Sequence, residues 1–443
     1  MASSSVVRQF DNNVVMGEED SGARRDSPTA SAAAPPRHRI LYLAPFTPRS
    51  DAMHGGGRIL AQLLLRLARR NRVGLVYLRG PGTTPIEPAL EEACELVQEI
   101  VPRRRRDAGG KQHRIDVLRA PLTGLPSPAA AVHDRSFAAA CRSAVLGWTP
   151  DIVQVEQDIL AYLGPVVRRA SSDVELILTC HEPGPSAAAD LIRATDGRRR
   201  LAHSVDRRAW QRYWSRTLGA FDVVVTFTDR DRSVVTAANP SVRAVAIPFG
   251  IDIPDTPLSA VGGDEPRVLF VGGYMHPPNS DAALRLLRSI MPAVRRRLPG
   301  LRLILAGADP GPEMLSAAGP DDLITGTVAE TTPYLRDASV VALPIRLGGG
   351  MRVKLLEAMA AGKAVVTSRL AAAGLDLSDG VQVVFAESDE EFCDAIVRLV
   401  GDAGERGRLG AEARRWAVRN LGWDARVRRF ESLYRELLGA QPR

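Results

Sequence analysis

Two series of short apolar runs, each rich in β-branched residues and each followed by an amphipathic stretch, set the architecture before any single motif does. The first series is RILYLA at 39–44, VGLVYL at 73–78, DIVQV at 151–155, VELILT at 174–179 and DVVVTF at 222–227. The second is RVLFVGG at 267–273, LRLILAG at 301–307, VVALPI at 340–345, KAVVTS at 363–368 and VQVVFA at 381–386. Strands that are apolar on both faces lie inside a sheet covered on both sides, and helix-length connections make neighbouring strands parallel. The chain therefore reads as α/β, with two doubly wound Rossmann-like units facing each other across a cleft. Its 443 residues are more than one hydrophobic core usually accommodates.

The divisions follow from composition. Residues 1–36 are rich in Ser, Ala, Asp and Pro without periodicity, and are expected to form a disordered tail. The first unit spans 37–247, and PFGIDIPDTPLSAVGGDEP at 248–266 has the Pro and Gly content of a linker. The second unit spans 267–422. Beyond it, Val427, Phe430, Leu433 and Leu437 recur at helical spacing, so 423–443 is expected to be a helix packing back across the domains.

With 45% hydrophobic and 25% charged residues the composition is that of a soluble globular protein. No run reaches the roughly 18–20 apolar residues of a membrane helix, and the first twenty residues lack a secretory pattern. The expected location is the cytosol. The net charge of +7 comes mostly from Arg in an Ala-rich chain, which coding bias alone produces, and only 5% of residues are aromatic, so nucleic acid is not the expected partner. PRRRR at 102–106 and GRRR at 197–200 read first as solvated loops, with peripheral contact at an anionic inner membrane face as the alternative. Cys94, Cys141, Cys180 and Cys393 are scattered, without ligand spacing, and fit reduced thiols. No metal or cofactor is expected.

The chemistry concentrates in LPIRLGGGMRVKLLEAMAAGKAVVTS, 343–368. Gly348, Gly349 and Gly350 form a turn after a strand, Met351 onward reads as a helix with Val353, Leu356 and Ala360 toward the core, and Gly362 ends it. Glycines and the free N–H groups of a first helical turn make an anion-binding nest. Arg352 and Lys354 in that turn would oppose the helix dipole, at a cost of about 0.3–1 kcal/mol each, unless an anion sits between them and the nest. Glu357 reaches back toward the loop, either to accept hydroxyls of the same ligand or simply to pair with Lys354. Two further segments sit at strand carboxyl ends, on the crevice side: HGGGRILAQLL at 54–64, a glycine loop suited to phosphate, and LTCHEPG, which carries His181 and Glu182. Glu156 ends another strand, where it would face an acceptor or solvent.

The 343–368 stretch, together with FVGGYMHPPNSDAALRL and GTVAETTPYLRDASVVALPI, resembles the donor-binding half of the retaining GT-B glycosyltransferases of the group 1 family, the glycosyltransferase family 4-like group. The similarity is strong over 267–375 and weaker over 38–250. It implies transfer of a sugar from a nucleotide-diphosphate sugar, held by the second unit, to an acceptor on the first, with retention of configuration and without a metal. Carried over, Glu357 holds the donor ribose, and the family's other glutamate, eight positions earlier, falls on Gly349. A branch with GGG in this loop shares that departure, which leaves the group contacting the sugar hydroxyls undefined. The family's diphosphate-gripping Arg and Lys fall on Gly273 and Asn279, so Arg352 or Lys354 is expected to substitute.

The same resemblance implies that backbone groups at Gly326 and Val328 meet the nucleobase, that His181 lies beside the phosphates and reacting sugar, and that Gly55, Gly56 and Gly57 lie near the diphosphate. The remaining donor-binding positions are Gly350 and Met351. An acceptor is not specified: a glycan, a lipid-linked sugar or a small molecule all fit. Two alternatives stay open, a nucleotide-sugar epimerase of the same fold and a catalytically silent donor-binding homologue.

Overall fold

The computed structural model describes residues 37–52, 55–80, 83–102, 124–259, 262–263, 265–350 and 352–439. The expected tail 1–36, the arginines 103–106 and Met351 lie outside the described residues.

Two all-parallel sheets form. The first holds β1 (Arg39–Ala44), β2 (Arg72–Leu78), β3 (Leu96–Ile100), β4 (Ile152–Glu156), β5 (Glu175–Cys180), β6 (Val223–Thr226) and β7 (Arg243–Ala246) in the order 3-2-1-4-5-6-7. The second holds β8 (Arg267–Val271), β9 (Arg302–Ala306), β10 (Asp322–Gly326), β11 (Val340–Leu343), β12 (Val365–Thr367) and β13 (Val384–Phe385) in the order 10-9-8-11-12-13. In each, the winding reverses beside the first strand, between β1 and β4 and between β8 and β11.

The apolar runs are continuous because alternate residues feed separate cores. Leu41, Leu43, Val153, Val155, Leu176 and Leu178 face one layer. Ile40, Tyr42, Ala44, Ile152, Ile177, Val223 and Val225 face the other. That second layer is completed from far along the chain, since the Trp423–Gly439 helix buries Trp423, Val427, Phe430, Leu433, Tyr434 and Leu437 in it. Gly250 has no room for a side chain there, because a Cβ would lie 2.5 Å from the Trp423 ring.

Three strands have no apolar run in the sequence: β3 (LVQEI), β7 (RAVA) and β10 (DLITG). Each is a sheet edge and buries less than a central strand. The helix expected over 279–297 is Pro277–Arg285, a wider turn at Leu286–Ile290 and Met291–Arg297. Pro292, which cannot donate a backbone hydrogen bond, follows the wide turn. GRRR at 197–200 is the exposed start of the Gly197–Thr217 helix, not a loop. All four cysteines are buried and free. Among the described residues no helix is long and apolar enough to cross a membrane.

Candidate active site

The glycine turn after β11 is an N–H nest, as its sequence suggests, but its N–H groups are not free. Gly348 N donates to Asp190 Oδ2 at 2.7 Å, Gly349 N to Glu182 Oε1 at 2.6 Å and Gly350 N to Asp231 Oδ2 at 3.1 Å. All three carboxylates belong to the first half: Glu182 follows β5, Asp190 sits in the Gly184–Ala194 helix and Asp231 in the Asp229–Ala238 helix. Gly348 and Gly350 have φ of +88° and +73°, which a side chain would strain. At Gly350 a Cβ would also come within 2.5 Å of the His181 carbonyl oxygen, so this loop reaches the crevice only as glycine.

The expected helix starts two residues late, at Val353, with Arg352 in extended backbone as its N-cap. Only Lys354 of the two cations therefore lies in the first turn. Arg352 is buried among Glu182, Asp190 and Asp231, with Nη2 donating to the Leu347 carbonyl at 3.0 Å. Its Nε has no partner among the described residues. Burial pulls its pKa down, and Glu182 and Asp231 oppose that pull.

Lys354 takes another direction. Its Nζ donates to Asn279 Oδ1 at 2.5 Å and lies 4.4 Å from the Phe270 ring centroid. Burial, then the charge of Arg352, lowers its pKa to about 7, with Glu357 opposing. Its place is beneath the loop after β8, where a Cβ on Gly272 would be 3.0 Å from Nζ. Beside it Gly273 borders open space.

Glu357 does not pair with Lys354. Its Oε1 accepts from Arg58 Nη2 at 2.7 Å, a half-buried ion pair between the two halves. Arg58 lies in the Gly55–Leu67 helix, and Gly55, Gly56 and Gly57 are the first turn of that helix rather than a phosphate-binding loop. Gly55 instead permits contact: a Cβ there would be 2.7 Å from Val353 Cγ2. Val353 is half-buried, packed against the core of its own half and touching Gly55 of the other.

His181 follows β5 directly. Its Nε2 lies 2.8 Å from Glu156 Oε2, and its ring sits 4.9 Å from Phe227 and 6.5 Å from Phe46. Glu156 is buried, so it neither faces an acceptor nor is solvated. Its Oε1 accepts from Gln154 Nε2 at 2.9 Å and Thr179 Oγ1 at 3.0 Å. Gln154 Oε1 accepts from Tyr434 at 2.6 Å, and Tyr434 meets Tyr42 at 2.7 Å. A buried hydrogen-bonded chain thus runs from the last helix to the histidine.

His181, Gly349, Gly350 and Arg352 come together at the junction, with Lys354 and Glu357 one and two helical steps beyond. Gly326, with φ +65°, closes edge strand β10, and Val328 follows half-buried; among the described residues no hydrogen bond joins these two to the others. Among the described residues no group of three or more His, Cys, Asp or Glu is arranged to hold a metal. Sequence reasoning missed the roles of Glu182, Asp190, Asp231 and Arg58. Asp190 is the one carboxylate of an Ala-rich helix, a local oddity that names no partner.

Both halves of the chain match known proteins. Residues 53–254 match the family described as Glycosyltransferase Family 4, and residues 265–402 match Glycosyl transferases group 1. A GDP-mannose-dependent alpha-(1-6)-phosphatidylinositol monomannoside mannosyltransferase from Mycolicibacterium smegmatis is 29% identical over 303 residues, 62% of this chain and 73% of that protein. A phosphatidyl-myo-inositol mannosyltransferase from the same organism is 30% identical over 44% of this chain and 53% of its own length. Sucrose-phosphate synthase from Thermosynechococcus elongatus superposes with a TM-score of 0.67 at 16% identity, covering 91% of this chain and 100% of that one. Anabaena Alr3699/HepE in complex with UDP and glucose gives 0.59 at 12% identity over 90% and 99%.

Proposed function

We propose a mechanism and substrate class for a chain that belongs to the group 1 glycosyltransferases and has their GT-B fold: transfer of a hexosyl unit from a nucleotide-diphosphate sugar to a lipid-linked acceptor hydroxyl, with retention and without a metal. The observation that carries the reading is Lys354. A half-buried lysine whose hydrogen-bond partner is the neutral amide of Asn279, beside the open space at Gly273, is an incomplete ion pair. A diphosphate bound there supplies the missing charge. Lys354 thus stands in for the cation that the family pattern puts at 279, while Arg352 holds the glycine loop in shape.

The remaining roles follow from position. Glu357 accepts the ribose hydroxyls, with Arg58 keeping its carboxylate oriented. Gly326 and Val328 leave backbone groups for the base. The 55–57 helix start and the loop after β8 flank the diphosphate, and Lys354 offsets the charge that develops on the leaving phosphate. His181, fixed by Glu156, positions the sugar. With no protein nucleophile assigned, the departing phosphate oxygen takes the acceptor proton on the same face of the sugar.

The GDP-mannose dependence of the first mycolicibacterial relative supports GDP-mannose as the donor to test first, and the phosphatidylinositol-based acceptors that both relatives are named for support a lipid-linked acceptor. Exposed Arg198, Arg199 and Arg200 are the residues for peripheral contact with an anionic membrane. Calorimetry and nucleotide release with GDP-, UDP-, ADP- and TDP-sugars test the reading. Selective binding, with slow donor hydrolysis, is expected; a chain that binds none of them is not a transferase of this kind.

A further inference from the structure

The glycine loop leaves one chemical question open, namely which group accepts hydrogen bonds from the hydroxyls of the transferred sugar. We infer that Glu182 is that group: its carboxylate, delivered from the first half of the chain, is held against the Gly349 N–H and binds the sugar of the donor. This rests on the sugar-nucleotide reading above.

Accessibility separates Glu182 from its neighbours. Of the three carboxylates gripping the loop, Asp190 and Asp231 are 4% and 1% exposed, whereas the Glu182 side chain keeps 21%. Hydrogen bonds also occupy both oxygens of Asp190 and the Oδ2 of Asp231. Asp190 is held by Gly348 N and Arg193, and Asp231 Oδ2 accepts from Thr228 Oγ1 at 2.7 Å as well as from Gly350 N. Glu182 has one close partner on Oε1, the Gly349 N–H, and His276 Nε2 at 3.4 Å from Oε2. An ionised carboxylate has about four acceptor positions, so about two remain for hydroxyl donors.

Gly349 is not among the residues with positive φ, so its backbone admits a side chain. The first half crowds one: a Cβ would stand 3.0 Å from Asp231 Oδ1 and in ordinary contact, at 3.6 Å, with Glu182 Cγ. A side chain at 349 would therefore leave the loop alongside Glu182. Glu182 is also bonded directly to His181, so acceptor and imidazole reach the crevice together. Burial works to raise the Glu182 pKa, but His276, Arg352 and the Gly349 N–H outweigh it and hold it below the usual carboxylate range. The group is therefore an anion at neutral pH, the stronger form of acceptor.

The test compares GDP with GDP-mannose, and UDP with UDP-glucose, by calorimetry on wild type and Glu182→Gln. The expected result is a loss of roughly 10- to 100-fold in sugar-nucleotide affinity, with nucleoside-diphosphate affinity changed less than about twofold. Equal losses for both ligands mean that Glu182 only holds the loop, and no loss means that it touches no sugar; either overturns the inference. The double variant Glu182→Ala, Gly349→Glu returns a carboxylate from the opposite side. Recovery of sugar-nucleotide affinity above that of Glu182→Gln supports the inference, and a folded double variant without recovery overturns it. Wild-type chain that binds no nucleotide and no sugar nucleotide refutes the transferase reading itself, a result distinct from all of these.

Discussion

Arg58 Nη2 lies 2.7 Å from Glu357 Oε1, joining the first helix of one half to the helix behind the glycine loop of the other. Both side chains keep about a quarter of their surface, 29% and 25%, which bounds the pair's worth at about 1 kcal/mol. Glu357→Ala is expected to weaken GDP or UDP binding by about 10- to 100-fold, whereas Arg58→Ala weakens it by less than about threefold. Calorimetry on the two variants decides. Equal losses would mean that Glu357 acts through the ion pair and not on ribose.

Lys354, with its pKa lowered to about 7, makes donor binding depend on pH. The amine is charged below that value, so affinity for the nucleoside diphosphate should fall as pH rises from 6 to 9, with a proton taken up on binding at pH 8. Lys354→Met should weaken binding at pH 6 and flatten the profile. The stability sign is opposite: burying the charge costs most below pH 7, and the cost fades as pH climbs toward the ordinary value of 10.5. Thermal melts should therefore show Lys354→Met most stabilised, relative to wild type, at acid pH.

Glu156 fixes His181 without reaching the crevice, so its loss should appear in turnover more than in binding. For Glu156→Gln the expected fall in kcat is about 10-fold or more, with donor Kd unchanged within about twofold. A matching fall in donor affinity would show instead that the substitution deforms the donor site.

Two glycines of the candidate site should respond oppositely to the same change. Gly350→Ala meets both positive φ and the His181 carbonyl, and is expected to cost about 1–3 kcal/mol in urea unfolding. Gly273→Ala points into open space and should stay within about 0.5 kcal/mol of wild type while still weakening diphosphate binding. Equal stability effects would contradict the placement of the loop against His181.

The sheets were legible because central strands announce themselves: VELILT and RVLFVGG are apolar on both faces and cannot be edge or loop. LVQEI and DLITG were not, since an edge strand needs only one buried face and its pattern merges with loop. In the site, His181 could be found because it directly follows a strand's carboxyl end, and Lys354 and Glu357 because they stand in the helix entered from a triple-glycine turn. Their partners could not. Arg58 meets Glu357 from 299 residues away and Asp190 meets Gly348 from 158, so neither pairing has a local spacing to betray it. The same cause explains the nest, whose glycines promise free N–H groups until the first half folds against them.

The contact between Tyr42 and Tyr434 spans 392 residues, and that distance is also an interval of time. At ribosomal rates of about 5–20 residues per second, β1 emerges some 20–80 s before the helix that finishes its core. Until then Ile40, Tyr42 and Leu64 lack the cover of Phe430 and Tyr434. The half made first is thus completed after the half made second, and the hydrogen-bonded chain that seats His181 closes only once residue 434 has been added.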